Sequence, residues 1–276
     1  LSAKSIRQTS LTVNGSVAIA DKASGGLGIV LGSLIDNPSP IAPPPAPQKT
    51  TNPALAGSLT LGAAGVIDVK DSFLMVHYDT VNPIALVTAA LKAGRNEAGL
   101  SEVPAHLWDG ATGIVSSAAA QAFQDNLQTE IMTLGVGDTR DMLLNIGLTF
   151  NNIDTVELGD KTVFVKYTRI GDASLDGYVT DADVTIVSTF YGRSDAYWYQ
   201  GDFNYDGLVN DADVTIVGTY YQGATPPASA MADSAFTKAF MAGYESSHGS
   251  NVVPEPGALT LLGVGALGLI RRKRRA

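Results

Sequence analysis

Two stretches of the sequence carry oxygen-bearing side chains at the same regular spacing. Residues 171–192 and 201–222 align without a gap at an offset of 30 positions, and both contain the string DADVTIV. Each copy reads D-x-[SN]-x-D-G, followed by an apolar residue at position 8 and Asp at position 12. Calcium takes roughly six to eight oxygen ligands, which a 12-residue loop supplies from positions 1, 3, 5, 7, 9 and 12. The spacing therefore predicts two calcium sites, one in each copy.

The predicted ligands follow from these positions in two loops, which we call loop 1 (residues 172–183) and loop 2 (residues 202–213). Position 7 contributes its backbone carbonyl, and position 9 acts through a water molecule. In loop 1 the ligands are Asp172, Ser174, Asp176, Tyr178, Thr180 and Asp183. In loop 2 they are Asp202, Asn204, Asp206, Leu208, Asn210 and Asp213. We expect Gly177 and Gly207 to make the sharp turn at position 6, and Val179 and Val209 to pair the two loops through a short β-bridge.

Each loop is followed by a predicted helix, at 181–191 and 211–221, whereas no amphipathic turn precedes it. This tandem loop–helix arrangement resembles the dockerin type I domain over residues 171–222. The resemblance implies an all-α, EF-hand-like module that binds a cohesin-like protein, with the partner surface around loop positions 10 and 11. These positions hold Asp181, Ala182, Asp211 and Ala212. Two roles stay open for the module, namely partner docking and a calcium-stiffened spacer near a membrane.

The C-terminal 24 residues combine three features in order. A Pro-Glu-Pro motif lies at Val253, Pro254, Glu255 and Pro256, and 13 uncharged, mostly apolar residues follow at 258–270. The chain then ends in a basic run, Arg271, Arg272, Lys273, Arg274 and Arg275. As a helix, 13 residues cover about 20 Å of a hydrocarbon core about 30 Å thick. The basic run is expected to stay on the cytoplasmic side.

This tail resembles the PEP-CTERM sorting signal of exported bacterial proteins. The resemblance implies processing by an exosortase, a membrane peptidase, and a short hydrophobic helix that anchors the protein transiently in the membrane. It also implies a location in the cell envelope or on the extracellular surface. Residues 1–20 lack the charged and apolar regions of a secretory signal. We therefore expect either a mature product or, more in keeping with the tail, the C-terminal part of a longer secreted protein.

Composition excludes several classes of protein. The net charge of -9 gives no general attraction for phosphate backbones, so nucleic acid is not an expected partner. The absence of cysteine excludes disulfides, a thiolate nucleophile and Cys-based metal sites. With 45% hydrophobic and 16% charged residues, the chain can form a core but is too polar for a multi-spanning membrane protein.

The remaining sequence predicts a β-rich block with two helices. Residues 10–19 and 58–69 both begin Ser-Leu-Thr and then alternate apolar residues around a glycine, which is typical of short half-buried strands. Two interpretations stay open for them: neighbouring turns of a β-solenoid, or ordinary hairpin strands. The other predicted elements are strands at 73–78, 142–150 and 162–170, a helix that starts at Asn82 and Pro83 and ends at Gly94, and a helix at 117–123.

We therefore predict a mixed, β-rich fold, in which a β-strand domain that could end a β-solenoid and a small α/β block precede the dockerin-like module and the C-terminal hydrophobic helix. The predicted parts are a β-strand segment at 1–37, a Pro-rich linker at 38–57, a β-rich mixed α/β domain at 58–170, the calcium-binding domain at 171–222, a linker at 223–252 and the sorting tail at 253–276. Seven of the 13 prolines fall within 38–53, which favours an extended linker there.

No catalytic motif stands out in the sequence. His77, His106 and His248 are far apart, and HExxH, GxSxG and P-loop patterns are absent. The leading hypothesis is a non-catalytic, exported cell-envelope protein with a calcium-dependent docking module. The alternative is the C-terminal part of a secreted glycoside hydrolase of polysaccharide catabolism, with its catalytic domain upstream, because dockerins are often appended to such enzymes. A surface polysaccharide is a further partner to consider. Glu97 with Glu102 could in principle serve glycoside hydrolysis, but we interpret them as solvated charges and predict no catalytic residue in this chain.

Overall fold

The computed structural model describes residues 2–32, 56–96, 107–148, 152–153 and 156–223. These residues form a mixed α/β structure with substantial sheet content, which confirms the predicted fold class at that level. The strands are β1 (Ser2–Ala3), β2 (Ile6–Gln8), β3 (Ser10–Val13), β4 (Ser16–Ile19), β5 (Ile29–Leu31), β6 (Ser58–Leu61), β7 (Val66–Asp68), β8 (Phe73–His77), β9 (Gly113–Val115), β10 (Met132–Asp138), β11 (Asn152–Ile153), β12 (Val156–Glu157) and β13 (Thr162–Arg169). The helices are α1 (Ile84–Arg95), α2 (Ser117–Asp125), α3 (Thr139–Asp141), α4 (Asp181–Phe190) and α5 (Asp211–Tyr220).

The N-terminal strands stack as successive parallel turns of the chain. β2, β3 and β4 lie beside β5, β6 and β7, respectively, and all three pairings are parallel. The two Ser-Leu-Thr strands are in register, with Ser10 opposite Ser58 and Thr12 opposite Thr60. β8 continues the stack on β5, and β9 continues the stack on β7. Parallel pairing is what the solenoid interpretation requires, whereas the two strands of a hairpin are antiparallel.

An antiparallel pair of strands completes the five-stranded sheet. β13 pairs with β8, and β10 pairs with β13, so β8 separates the parallel half of the sheet from the antiparallel half. β8 is buried from Phe73 to His77. A strand covered on both faces has a continuous apolar sequence rather than an alternating one, and this accounts for the run FLMVH. The predicted strands at 73–78 and 162–170 are confirmed.

Helix α1 begins at Ile84, one residue after the predicted first position Pro83, and ends beyond the predicted Gly94. Asn82 Oδ1 accepts a hydrogen bond from the Ile84 N–H at 2.9 Å, while the helix continues past Gly94 to Arg95. A Cβ atom on Gly94 would lie 1.8 Å from the carbonyl oxygen of Ile114. This glycine is therefore needed for the close approach of α1 to β9, and left-handed Asn96 ends the helix instead. The helix predicted at 117–123 is present as α2.

The strand predicted at 142–150 is wrong. Residues Met142–Ile146 form a π-helical turn that continues α3, and Gly147 ends it with a φ of 77°. The Asp138 side chain accepts a hydrogen bond from the Arg140 N–H at 3.0 Å, which caps α3 and sets the chain in a helical direction before the apolar run begins. The strand in this region is β10, which comes earlier in the chain.

Residues 171–222 pack on the antiparallel half of the five-stranded sheet. The Trp198 ring lies over Gly135 of β10, where a Cβ atom would come within 2.6 Å of the indole nitrogen. The Tyr205 hydroxyl donates a hydrogen bond to the Leu134 carbonyl at 2.6 Å, and its ring meets Trp108 edge-on at 6.2 Å. All three rings are buried and belong to one hydrophobic cluster with the sheet residues. At about 25 cal/mol per Å², burial of each ring stabilises the fold by a few kcal/mol.

A buried ion pair links α1 to loop 2. Arg95 Nη2 lies 2.6 Å from Glu130 Oε2, and the Trp108 indole N–H donates to Glu130 Oε1 at 2.9 Å. Arg95 Nη1 also donates a hydrogen bond to the Asn204 carbonyl at 3.2 Å. Buried charges are tolerated only when they are paired in this way. Arg95 thus connects helix α1 to loop 2 through the Asn204 carbonyl.

Several predictions concern residues outside the described ranges. These are the linkers predicted at 38–57 and 223–252, except for residues 56, 57 and 223, the tail at 253–276, His106 and His248, and the acid pair Glu97 and Glu102. Within the ranges that the structure describes, no helix has the length and apolar character needed to cross a membrane.

Candidate metal centre

Loops 1 and 2 hold their acidic side chains in the same way. The position-1 carboxylate of each loop accepts hydrogen bonds from the backbone N–H groups of positions 5 and 6. Asp172 accepts from Asp176 (3.1 Å) and Gly177 (2.8 Å), and Asp202 accepts from Asp206 (3.1 Å) and Gly207 (3.0 Å). The position-5 carboxylate accepts from the N–H of position 7 in both loops, at 2.8 Å and 2.7 Å. The backbone of each loop is therefore wrapped around its own carboxylates.

The acids at position 12 also begin the helices that follow. Asp183 accepts hydrogen bonds from the Thr180 N–H at 2.7 Å and the Ser174 N–H at 2.8 Å. Asp213 accepts the equivalent bond from the Asn210 N–H at 3.0 Å, and its second bond comes from the Phe203 N–H at 2.9 Å, one position earlier in the loop than Ser174 in loop 1. In return, the side chains at position 9 cap the first turns of α4 and α5, which completes a capping box at each helix. Positions 9 and 12 thus fix where each helix begins.

Three acids of loop 1 share a poorly hydrated environment. Asp172 and Asp183 are fully buried, and Asp176 is half-buried. Burial and the neighbouring charge of Asp172 raise the pKa of Asp176 to about 7. Burial, together with the charges of Asp172 and Asp176, raises the pKa of Asp183 well above its usual value. Carboxylates that repel one another in this way gain most from a shared cation.

Loop 2 is more open but shows the same trend. Asp202 and Asp213 are buried, whereas Asp206 is exposed. Burial raises the pKa of Asp202 to about 7; the charges of Asp206 and Asp213 act in the same direction, and a hydrogen bond from Gly207 opposes them. Burial also raises the pKa of Asp213, against the hydrogen bonds that it accepts from the backbone. Both loops therefore concentrate negative charge where water has little access.

One carboxylate oxygen in loop 1 is buried without a hydrogen bond. This atom is Asp176 Oδ2, and leaving such a group unsatisfied costs about 1–3 kcal/mol. Within the described residues, no three His, Cys, Asp or Glu side chains already converge as a ready-made metal cluster. The predicted ligand atoms around Asp176 are nevertheless all oxygens, which a hard cation such as calcium prefers. The residues present therefore fit calcium better than a metal that needs nitrogen or sulfur ligands.

The predicted bridge between Val179 and Val209 is wrong. Val179 pairs with Gln222, whose N–H donates to the Val179 carbonyl at 2.8 Å and whose side chain accepts from the Val179 N–H at 3.1 Å. Val209 pairs with the chain after α4, through Gly192 (2.8 Å) and Arg193 (3.0 Å). Each loop is therefore bonded to the segment that follows the other loop's helix, and not to the other loop.

The residues predicted to contact a partner lie at the first turns of α4 and α5. Asp181, Asp211 and Ala212 are exposed, and Ala182 is half-buried. The Tyr191 hydroxyl donates to Asp211 at 2.6 Å, and the Tyr221 hydroxyl donates to Asp181 at 2.5 Å. The sequence analysis missed these two contacts. The signal that could have found them is the 30-residue offset that relates both the acids and the tyrosines.

Other titratable groups are satisfied inside the fold. His77 is buried with its Nδ1 2.7 Å from Thr162 Oγ1, and burial lowers the pKa of His77 to about 4. Asp138, which the sequence analysis did not single out, accepts hydrogen bonds from the Tyr78 hydroxyl at 2.9 Å and from Asn82. Burial raises the pKa of Asp138, while these hydrogen bonds oppose the rise. These groups hold β8, α1 and β10 together.

Comparison with known proteins identifies the tail. Residues 252–275 match the PEP-CTERM protein-sorting motif, which agrees with the signal predicted at 253–276 to within one residue at each end. No dockerin match accompanies it. No curated protein and no solved structure matches the chain significantly. The motif supports exosortase-directed sorting of an exported, cell-envelope-associated protein that is membrane-anchored before processing.

Proposed function

We propose that residues 171–222 are a two-site calcium module of the dockerin type, which docks this exported protein to a cohesin-like partner. The observation that supports the proposal most is the buried Asp176 Oδ2, which lacks a hydrogen bond among carboxylates that raise one another's pKa. Bound calcium supplies the positive charge that these groups lack. The residues that hold it are Asp172, Ser174, Asp176, Tyr178 and Asp183 in loop 1, and Asp202, Asn204, Asp206, Leu208 and Asp213 in loop 2.

Calcium binding is coupled to the shape of the module through the helix starts. Asp183 and Asp213 are both proposed ligands and the residues that cap α4 and α5. Ordering of the loops therefore also orders the first turns of the helices, where Asp181 and Asp211 lie. A metal that binds only the folded state adds about 2.7 kcal/mol of stability per site at a hundredfold excess over its Kd.

The outer surface of α4 and α5 favours docking over a spacer role. Val184 and Val214 are 37% and 44% exposed, and Tyr191 and Tyr221 are 56% and 43% exposed. Both pairs are related by the 30-residue offset, as are the acids at the helix starts. A spacer has no need of two equivalent apolar patches, whereas a partner protein can bury either of them.

Calcium titration tests the module. We expect calorimetry of the full chain to show two sites, and Asp176→Ala and Asp206→Ala each to remove one of them, because each variant deletes the position-5 carboxylate of one loop. Asp195→Ala is the matched control, since Asp195 lies between the loops and is not a proposed ligand; it should retain both sites. Unchanged binding in both the Asp176 and Asp206 variants would contradict the ligand assignment, and no binding by the wild type would remove the calcium proposal.

Processing of the tail tests the assignment of the sorting residues. In the native host, we expect replacement of Pro254, Glu255 and Pro256 by alanine to leave the tail attached, because the motif that the peptidase recognises is gone. The readout is the mass of the protein recovered from the cell envelope. Replacement of Pro226 and Pro227 by alanine is the control for loss of proline alone. Normal processing of the triple variant would assign recognition to other residues of the matched segment.

A further inference from the structure

A lysine side chain places a positive charge against loop 1. Lys166 Nζ donates a hydrogen bond to the carbonyl of Leu175, which is position 4 of the loop, at 2.7 Å. Leu175 lies between the proposed ligands Ser174 and Asp176, so this hydrogen bond holds the ammonium group beside the ligands of loop 1. Lys166 lies on β13, which is hydrogen-bonded to β8 on one side and to β10 on the other. Its backbone therefore cannot move away from loop 1 without breaking the sheet.

Loop 2 has no equivalent charge in the part of the chain that the structure describes. The repeat begins at Gly171 and Gly201, so Lys166 lies outside it and has no counterpart in the second copy. The cationic side chain that contacts loop 2 is Arg95, through the Asn204 carbonyl, and Glu130 at 2.6 Å neutralises it. The two loops thus present nearly the same ligands in different electrostatic surroundings.

We infer that Lys166 is an internal competitor of calcium at loop 1, which lowers the calcium affinity of this loop and leaves loop 2 unaffected. The inference rests on the proposed calcium binding. In the metal-free protein the ammonium group offsets part of the carboxylate charge, and in the calcium-bound protein it repels the metal. Charges a few Å apart near a protein surface interact strongly enough to change a binding constant by a factor of about ten or more. Lys166 therefore shifts the calcium response of loop 1 to higher concentration.

The test measures calcium affinity at one loop at a time in the full chain. Asp206→Ala isolates loop 1, and Lys166 is then changed to Met, Gln or Arg in that background. We expect Lys166→Met and Lys166→Gln to bind calcium at least about tenfold more tightly than the Lys166 protein, and Lys166→Arg to bind about as weakly, because it keeps the charge. Lys161→Met is the matched control, since Lys161 pairs with Asp79 and does not contact a loop. It should leave the affinity unchanged.

The outcomes separate the two proposals. Equal or weaker binding by both neutral Lys166 variants would overturn the inference and leave calcium binding intact, because it would show that Lys166 positions Leu175 rather than competing with the metal. Tighter binding by the neutral variants at loop 2, measured in the Asp176→Ala background, would overturn its specificity for loop 1. No calcium binding in any variant would remove both proposals. Circular dichroism of each metal-free variant confirms that the fold is retained before affinities are compared.

Discussion

The metal-free protein should become less stable as the pH rises from about 5 to about 7.5, whereas the calcium-bound protein should become more stable over the same range. The acids of the two loops cause this difference. In the folded, metal-free chain the pKa values of Asp176 and Asp202 are raised to about 7, and those of Asp172, Asp183 and Asp213 are raised as well. In the unfolded chain these groups titrate near 4.

The sign follows from proton binding. Between about pH 4 and pH 7 the folded metal-free state holds protons that the unfolded state has released, so the free energy of unfolding falls as the pH rises. Each proton that only the folded state holds lowers the free energy of unfolding by about 1.4 kcal/mol for every pH unit of increase. Burial of His77, whose pKa is lowered to about 4, opposes this loss below about pH 6.5. With that offset and a discount for water that reaches the more open loop 2, we expect a net loss of about 1–3 kcal/mol between pH 5 and pH 7.5. Calcium requires ionised carboxylates, so protonation weakens its binding and reverses the slope.

Urea denaturation at both pH values, with excess calcium or after its removal, measures the effect. The double variant Asp176→Asn, Asp206→Asn is the control, because it removes one charge from each loop. It should be more stable than the wild type without metal at pH 7.5, and calcium should stabilise it much less. Metal-free stability that rises with pH in the wild type would show that the loop acids are not held in the environment described above.

Glu130→Ala should lower the free energy of unfolding by about 3–5 kcal/mol, which corresponds to a fall in Tm of roughly 10 °C for a protein of this size. Glu130 accepts from Arg95 at 2.6 Å and from the Trp108 indole at 2.9 Å, and all three side chains are buried. Removal of the carboxylate leaves a buried guanidinium without its counter-charge and a buried indole N–H without its acceptor. Thermal unfolding followed by circular dichroism measures the loss.

Two further variants identify the cause of that loss. The double variant Arg95→Met, Glu130→Leu should recover much of it, because no unpaired charge stays buried. Asp79→Ala breaks the more exposed pair between Lys161 and Asp79 and should cost less than about 1 kcal/mol. A single Glu130→Ala variant as stable as Asp79→Ala would show that water reaches Arg95 and that the link between α1 and loop 2 is weak.

Local patterns in the sequence were sufficient to predict many of the elements. The apolar run FLMVH, the Asn82-Pro83 start and the repeated Ser-Leu-Thr segments each depend on neighbours within a few residues, and β8, the start of α1 and the β3–β6 pair agree with them. The 30-residue repeat likewise predicted helices after both loops, because capping residues at positions 9 and 12 recur with it.

Contacts between distant residues could not be predicted in this way. Gly94 has the spacing of a helix end, but the carbonyl of Ile114, 20 positions later, determines its role. The run at 142–150 is apolar enough for a strand, yet the cap at Asp138 precedes it and leaves Leu143 and Leu144 partly exposed in a helical turn. Lys166 and Arg95 belong to no motif, and only the folding of β13 and α1 against the loops gives them a relation to the candidate site.

The crossed pairing between the two copies of the repeat has a consequence for dilute solution. Val179 bonds to Gln222 and Val209 to Gly192, so each copy completes its loop with residues from the other. A single copy could make these contacts only by associating with a second molecule, at a rate and extent set by its concentration. Because both copies are in one chain, the association is intramolecular and its effective concentration is on the order of millimolar. The pairing therefore does not depend on how far an exported protein is diluted outside the cell.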